Sequence, residues 1–115
     1  DNLRFDIHID QSMNSMLLPP MSAQLLIENA IKHNEISNRN PLTISIRTEG
    51  GMLSVSNRIQ PKRLTPAGPG IGLDNLAIRY NLLWQQDIQI SAENGIFSVR
   101  LPLQQPRNDY ESTDN

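Results

Sequence analysis

A chain of 115 residues is the size of one domain with room for a sizeable core, and a formal net charge of −2 with a pI near 5.6 leaves no broad electropositive surface for wholesale nucleic-acid binding. The absence of cysteine excludes disulfides and thiolate chemistry and fits a reducing compartment. No apolar run approaches the roughly 18 to 20 residues of a membrane span and no signal-peptide pattern is seen, so the chain reads as soluble, and its start at Asp1 without Met reads as an excised domain.

Leu3, Phe5, Ile7 and Ile9 alternate with Arg4, Asp6, His8 and Asp10, a period of two that predicts a strand with one wet face. His8 falls on that face beside two aspartates, where a solvated position outweighs a metal-ligand role. Gln11 to Ser15 is a polar loop. In Leu17-Leu-Pro-Pro20 the prolines predict an extended entry followed by a first helical turn, where a missing N–H is harmless.

Ala23, Leu26, Ile27, Ala30 and Ile31 recur at i, i+3, i+4, i+7 and i+8, which predicts an amphipathic helix lying on a sheet and running to about Asn34. The opposite side lines up Glu28, Asn29, Lys32 and His33. An Asn amide is a hard oxygen donor of the kind Mg2+ accepts, and Lys supplies a point charge for phosphate oxygens. Glu28 and Lys32 also form an i, i+4 pair in the favourable order, a solvated ion pair of about 0.3 to 0.5 kcal/mol. The helix alone leaves both readings open.

Glu35 to Pro41 is a loop by composition. Leu42 to Thr48 and Met52 to Asn57 alternate around Glu49-Gly-Gly51, a β-hairpin. Arg58 to Pro69 has prolines, basic residues and no hydrophobic period, and is expected to be a mobile loop. Gly68-Pro-Gly-Ile-Gly72 then opens a second helix with Leu73, Leu76, Ala77, Tyr80, Leu83 and Trp84 on one face. Asp87 to Ile90 and Ile96 to Leu101 alternate around Asn94-Gly95, a second hairpin. Gln104 to Asn115 is polar without period and is expected to be a disordered tail. The order of elements predicts an α+β fold, a two-layer α/β sandwich whose mixed sheet is covered by helices on one face.

Glycines ahead of a helix suit phosphate, because the backbone can come close and the first free N–H groups point at the anion. A structural turn needing positive φ produces the same glycines. The run is not a P-loop, since no Lys-Ser/Thr follows Gly72, nor a Rossmann turn, since no strand immediately precedes it.

A helix bearing Glu28-Asn29-x-x-Lys32-His33, a hairpin ending in Val55-Ser-Asn57, Gly68-Pro-Gly-Ile-Gly-Leu73 and Phe97-Ser-Val-Arg-Leu-Pro102 occur in the order and spacing of the ATP-binding domain of sensor histidine kinases, which this chain resembles from about residue 3 to 103. The wording Leu-Ile-Glu-Asn-Ala-Ile-Lys-His and Gly-Ile-Gly-Leu-x-Asn-Leu-x-x-Arg is most similar to the LytS-like branch. The resemblance implies the Bergerat, or GHKL, fold over residues 1–103, with ATP and Mg2+ as cofactors. It also implies a phosphoacceptor His domain of the same parent protein, a downstream response regulator of the LytTR type, and a parent that is a homodimer anchored in the bacterial inner membrane with this domain in the cytoplasm.

Carried over by position, the resemblance makes Asn29 the Mg2+ ligand, Lys32 a basic group near the phosphates, and His33 a lining residue or one that packs on the lid. Glu28 has at most a polarising role. Asn57 stands where relatives have the Asp that accepts from the adenine amino group; its carbonyl accepts without charge. Gly68, Gly70, Ile71, Gly72 and Leu73 match the glycine box, and Asn75 and Arg79 fall at positions with structural roles. The chain departs from its relatives in three ways. Arg58-Ile-Gln-Pro replaces the usual Asp-x-Gly-x-Gly run, the following loop is short, and Gly95 replaces a Thr or Ser ahead of Phe97. The relatives' acceptor, an Asn-Pro-His-Phe type sequence, does not occur, so the fragment is expected to bind ATP without phosphorylating itself. Two other classes stay open: a GHKL-type ATPase clamp, whose base would fall at Leu25, and a degenerate, nucleotide-free interaction module.

Overall fold

In a computed structural model of the chain, residues 2–19, 21–62 and 71–106 are described, with Ile71 by its backbone alone. The period-two alternation forms β1 (Leu3–His8), and Asp10 then caps a short 3-10 turn over Gln11–Met13 by accepting from the Ser12 N–H and hydroxyl. Helix α1 spans Ser22–His33. Its cap is Met21 at φ 65°, so Pro19 precedes the helix, and Ser22 bonds back to the Pro19 carbonyl with Oγ at 2.7 Å. Pro20 lies outside the described residues.

Strands β2 (Leu42–Glu49) and β3 (Met52–Arg58) form the first hairpin, α2 spans Ile71–Trp84, and β4 (Gln89–Glu93) and β5 (Ile96–Pro102) form the second. Gly50-Gly51 and Asn94-Gly95 close their hairpins with both central residues at positive φ, the backbone that type I′ turns need to match strand twist. The five strands run β1-β2-β3-β5-β4, with β1 parallel to β2 and the remaining neighbours antiparallel, a mixed sheet as expected.

Both helices lie on one face, and the core between the layers comprises Leu26 and Ala30 of α1, Leu76 and Tyr80 of α2, and Leu42, Ile44, Leu53, Val55, Val99 and Leu101 of the three central strands. Burying a side chain of this size contributes about 1.5 to 3 kcal/mol relative to exposure. Tyr80 is wholly buried, donates its hydroxyl to the Pro102 carbonyl at 2.9 Å and meets Trp84 edge to face; burial pushes its phenol well above the ordinary range.

Two expectations about the core need correction. Ile31, placed in the α1 stripe, is 37% exposed, because the buried line runs through Ser22, Leu26 and Ala30, four residues apart, and leaves Ile31 turned outward. Leu83, placed on the buried face of α2, is 54% exposed, since Leu76 and Tyr80 take the sheet-facing positions. Gln104, placed at the start of a disordered tail, exchanges both backbone hydrogen bonds with Leu17. Residues 107–115, which hold most of that tail, and residues 63–70, which hold most of the expected mobile loop, lie outside the described residues. No helix among the described residues is long and apolar enough to cross a membrane.

Candidate functional site

The C-terminal half of α1 forms one side of a cavity of about 290 Å3 lined by Asn29, His33, Asn34, Ile59, Pro61, Leu73 and Phe97. That volume sits at the lower end of the range for small-molecule sites, about 300 to 1,000 Å3. Asn29 and His33 enter it together because residues four apart share a helix face. Leu73 reaches it from the first turn of α2, Phe97 from β5, and Ile59 and Pro61 from the segment leaving β3.

Asn34 fixes this geometry. It ends α1 in extended backbone, and its buried side chain donates Nδ2 to the Ala30 carbonyl and accepts the Gln60 N–H on Oδ1, both at 2.8 Å. One orphan carbonyl of the helix end is thereby satisfied. Around it Asn34 bridges Pro61, Glu35 donates its N–H to the Gln60 carbonyl, and Gln60 Nε2 donates to the carbonyls of Glu35 and Asn40. The helix end and the segment that follows β3 are therefore clasped together, and each supplies part of the cavity wall.

Asn57 is 6% exposed and stands directly opposite Phe97 in the β3–β5 ladder, so both side chains leave the sheet on the same, helix-facing side. Its Nδ2 donates to the Arg58 carbonyl at 2.8 Å. Among the described residues no donor is seen on its Oδ1. A neutral carbonyl thus stands beside the Phe97 side of the cavity.

The other expected residues divide. Gly72 lies in the first turn of α2 next to Leu73, and among the described residues a Cβ added there meets nothing within 4 Å. Lys32 and Glu28 are exposed and do not line the cavity. The expected Glu28–Lys32 ion pair does not form: Glu28 accepts from Gln24 Nε2, one turn earlier, at 3.1 Å. An exposed pair of long side chains gains too little to compete with that neighbour. Gly68 and Gly70 lie outside the described residues, as does the Ile71 side chain. Asn75 and Arg79 lie on the outer side of α2 with Ile78 and Leu82. His8 sits on the open face of β1 against Asp6, 2.7 Å away, as a solvated strand residue would.

The motifs of the sequence do not mark Asn34, Ile59, Pro61 and Phe97 as site residues, yet all four line the cavity. Phe97 carried a signal as the residue that a final strand sets against Asn57; the other three depend on the clasp. No group of three or more His, Cys, Asp or Glu among the described residues could hold a metal. A cation here would need Asn29 and oxygens brought by a ligand, which is how Mg2+ is held in many phosphate sites.

No protein-family model matches the chain. It is 31% identical over 106 residues to the sensor protein LytS of Streptococcus mutans serotype c, in an alignment that covers 78% of this chain and spans only 18% of that protein's length. Among solved structures it is similar to the histidine kinase AdeS of Acinetobacter baumannii, with 16% identity and a TM-score of 0.48 over 88% of this chain and 54% of the other. With the ordered motifs of α1, β3, α2 and β5 and the likeness to LytS, the chain is a sensor histidine kinase catalytic-domain-like protein.

Proposed function

We propose that this chain is the ATP–Mg2+-binding catalytic domain of a two-component sensor histidine kinase, delivering the γ-phosphoryl group of ATP to a His on a phosphoacceptor domain of the same parent protein. The observation that carries the reading is the single cavity reached by Asn29 and His33 from one helix and Leu73 from the start of the next, with Asn57 beside its Phe97 wall.

The residues present fit the nucleotide. Ile59, Pro61, Leu73 and Phe97 give a base apolar faces to lie between, and the Asn57 Oδ1 accepts from an exocyclic amino group. Asn29 supplies an amide oxygen for Mg2+, which would neutralise phosphate charge when bound. Gly72 leaves room for phosphate at the start of α2, where free N–H groups favour an anion. Lys32, on the exposed side of α1, adds a cation within reach of a chain of phosphates leaving the cavity.

Positioning and charge neutralisation are most of what phosphoryl transfer asks of a protein. The nucleophile is an imidazole nitrogen of the acceptor domain; it forms a bond to the γ-phosphorus as the bond to the bridging oxygen breaks and ADP leaves. Leu25, the position where an ATPase clamp would carry its base, packs against the core and cannot activate water. The parent protein would then pass the phosphoryl group to a response regulator of the LytTR type, acting as a membrane-anchored homodimer.

Titration with a fluorescent ATP analogue, with and without Mg2+, is the test. Mg2+-enhanced binding without turnover is expected. With γ-labelled ATP the isolated chain is expected to gain no acid-labile phosphate. Robust hydrolysis points to the clamp, and absence of binding to an interaction module that has lost its nucleotide.

A further inference from the structure

The apolar layer of the sheet continues past its helical cover. Leu3, Phe5 and Ile7 stand in register beside Leu42, Ile44 and Ile46, but where Leu42 and Ile44 are fully buried, Phe5 and Ile7 remain 47% and 57% exposed. β1 is also an edge strand, with β2 on one side and no described strand on the other. The Leu42 N–H donates to the Asn2 carbonyl at 2.7 Å, which sets the phase of the ladder. In a parallel pair, alternate residues turn both backbone groups to the same neighbour. Arg4, Asp6 and His8 therefore face β2, and Leu3, Phe5 and Ile7 present their N–H and C=O groups outward.

We propose that this edge pairs antiparallel with β1 of a second copy of the chain, about a two-fold axis at Phe5, joining the two sheets into one. The register follows from charge. Centring the axis on Arg4 or on Asp6 sets that residue against its own copy, a like-charge pair that destabilises a ladder. Centring it on Ile7 leaves the N-terminal half of the strand unpaired. With the axis at Phe5 every outward N–H and C=O of Leu3, Phe5 and Ile7 meets a partner, Leu3 stands against Ile7 of the copy and Phe5 against Phe5. Arg4 then faces Asp6 of the copy, twice by symmetry.

Within its own chain Arg4 makes no ion pair among the described residues, whereas Asp6 has His8 at 2.7 Å and Arg47 at 3.8 Å and still keeps 48% of its side chain exposed. A cation that makes no ion pair among the described residues and a half-open carboxylate, two positions apart on one strand, are self-complementary under a two-fold axis. Pairing also removes an apolar edge that would otherwise template less specific association.

Sedimentation velocity of this chain over a concentration series is expected to show a monomer–dimer equilibrium. Arg4→Asp and Asp6→Arg, each alone, are expected to weaken self-association about tenfold or more, because like charges then oppose each other across the axis. Mixed in equal amounts, the two variants recreate both complementary pairs and are expected to associate as the unaltered chain does. Phe5→Pro removes an outward N–H without breaking a β2 bond and is expected to give a folded monomer by circular dichroism. A chain that stays monomeric throughout, its edge left for a strand of another protein, overturns the proposal. So does a dimer indifferent to Arg4→Asp and Phe5→Pro, or a mixture of folded charge variants that stays monomeric.

Discussion

Replacing Gly72 with alanine separates folding from binding by sign. Gly72 is not at positive φ, it lies in the first turn of α2, and a Cβ added there meets nothing within 4 Å. Among the described residues nothing asks for glycine at that position. In a helix interior glycine is less stable than alanine by about 0.5 to 1 kcal/mol, and a first-turn position realises part of that difference. At about 4 to 8 °C per kcal/mol for a domain of this size, Gly72→Ala is expected to raise Tm by a few degrees. For nucleotide the effect reverses. If phosphate approaches this backbone, a methyl group there displaces at least one hydrogen bond to a charged oxygen, worth about 1.5 to 3 kcal/mol, which is about a tenfold to hundredfold loss of affinity. Differential scanning calorimetry and titration with an ATP analogue read the two effects on one sample. A variant that melts higher and binds ATP unchanged would refute the phosphate reading of Gly72.

Asn29→Ala is expected to remove the Mg2+-dependent part of ATP affinity with little change in Tm, whereas Leu26→Ala, at a site 3% exposed, should destabilise by about 2 to 5 kcal/mol in urea melts. Ile31→Ala, at an exposed position five residues on, should change stability by less than about 1 kcal/mol in the same assay. Tyr80→Phe is expected to lose about 1 kcal/mol with the hydrogen bond to Pro102, and to blunt unfolding at high pH. The buried phenol's raised pKa contributes stability that is complete below the ordinary Tyr value of about 10 and declines above it, as an alkaline melt would register. The Asp10 carboxylate is held below its ordinary value by the Ser12 N–H and then the Ser12 hydroxyl, so its stabilising effect is present above the unfolded-state pKa and fades as pH falls through the folded-state one. Asp10→Asn should flatten that acid dependence in urea melts run from neutral to strongly acidic pH.

The elements most legible in the chain were those encoded locally. Asn94-Gly95 and Gly50-Gly51 marked their turns because few residues accept positive φ twice in succession, and the alternation on either side set the strands. The helix spacing located α1, but it could not say which side of the stripe would meet the sheet, and Ile31 fell on the wrong one. Met21 as a left-handed cap and Gln104 as a ladder residue were illegible, since each depends on a partner far along the chain or on a backbone state its residue type rarely adopts. For the site, Asn29, His33 and Leu73 were legible through motif order. Ile59 and Pro61 were not: a segment rich in proline and polar residues reads as loop, and only the bonds from Gln60 to Asn34, Glu35 and Asn40 turn it into a wall.

That attachment governs how the cavity can change shape. Since the end of α1 and residues 59–61 are tied by both main-chain and side-chain bonds, displacing one carries the other along or breaks those bonds. Adjustment to a wider or narrower guest costs fewer bonds at the opposite bank, where Leu73 enters on α2. A displacement of α2 would change the cavity's width directly, while a displacement of α1 would carry the first wall along with it.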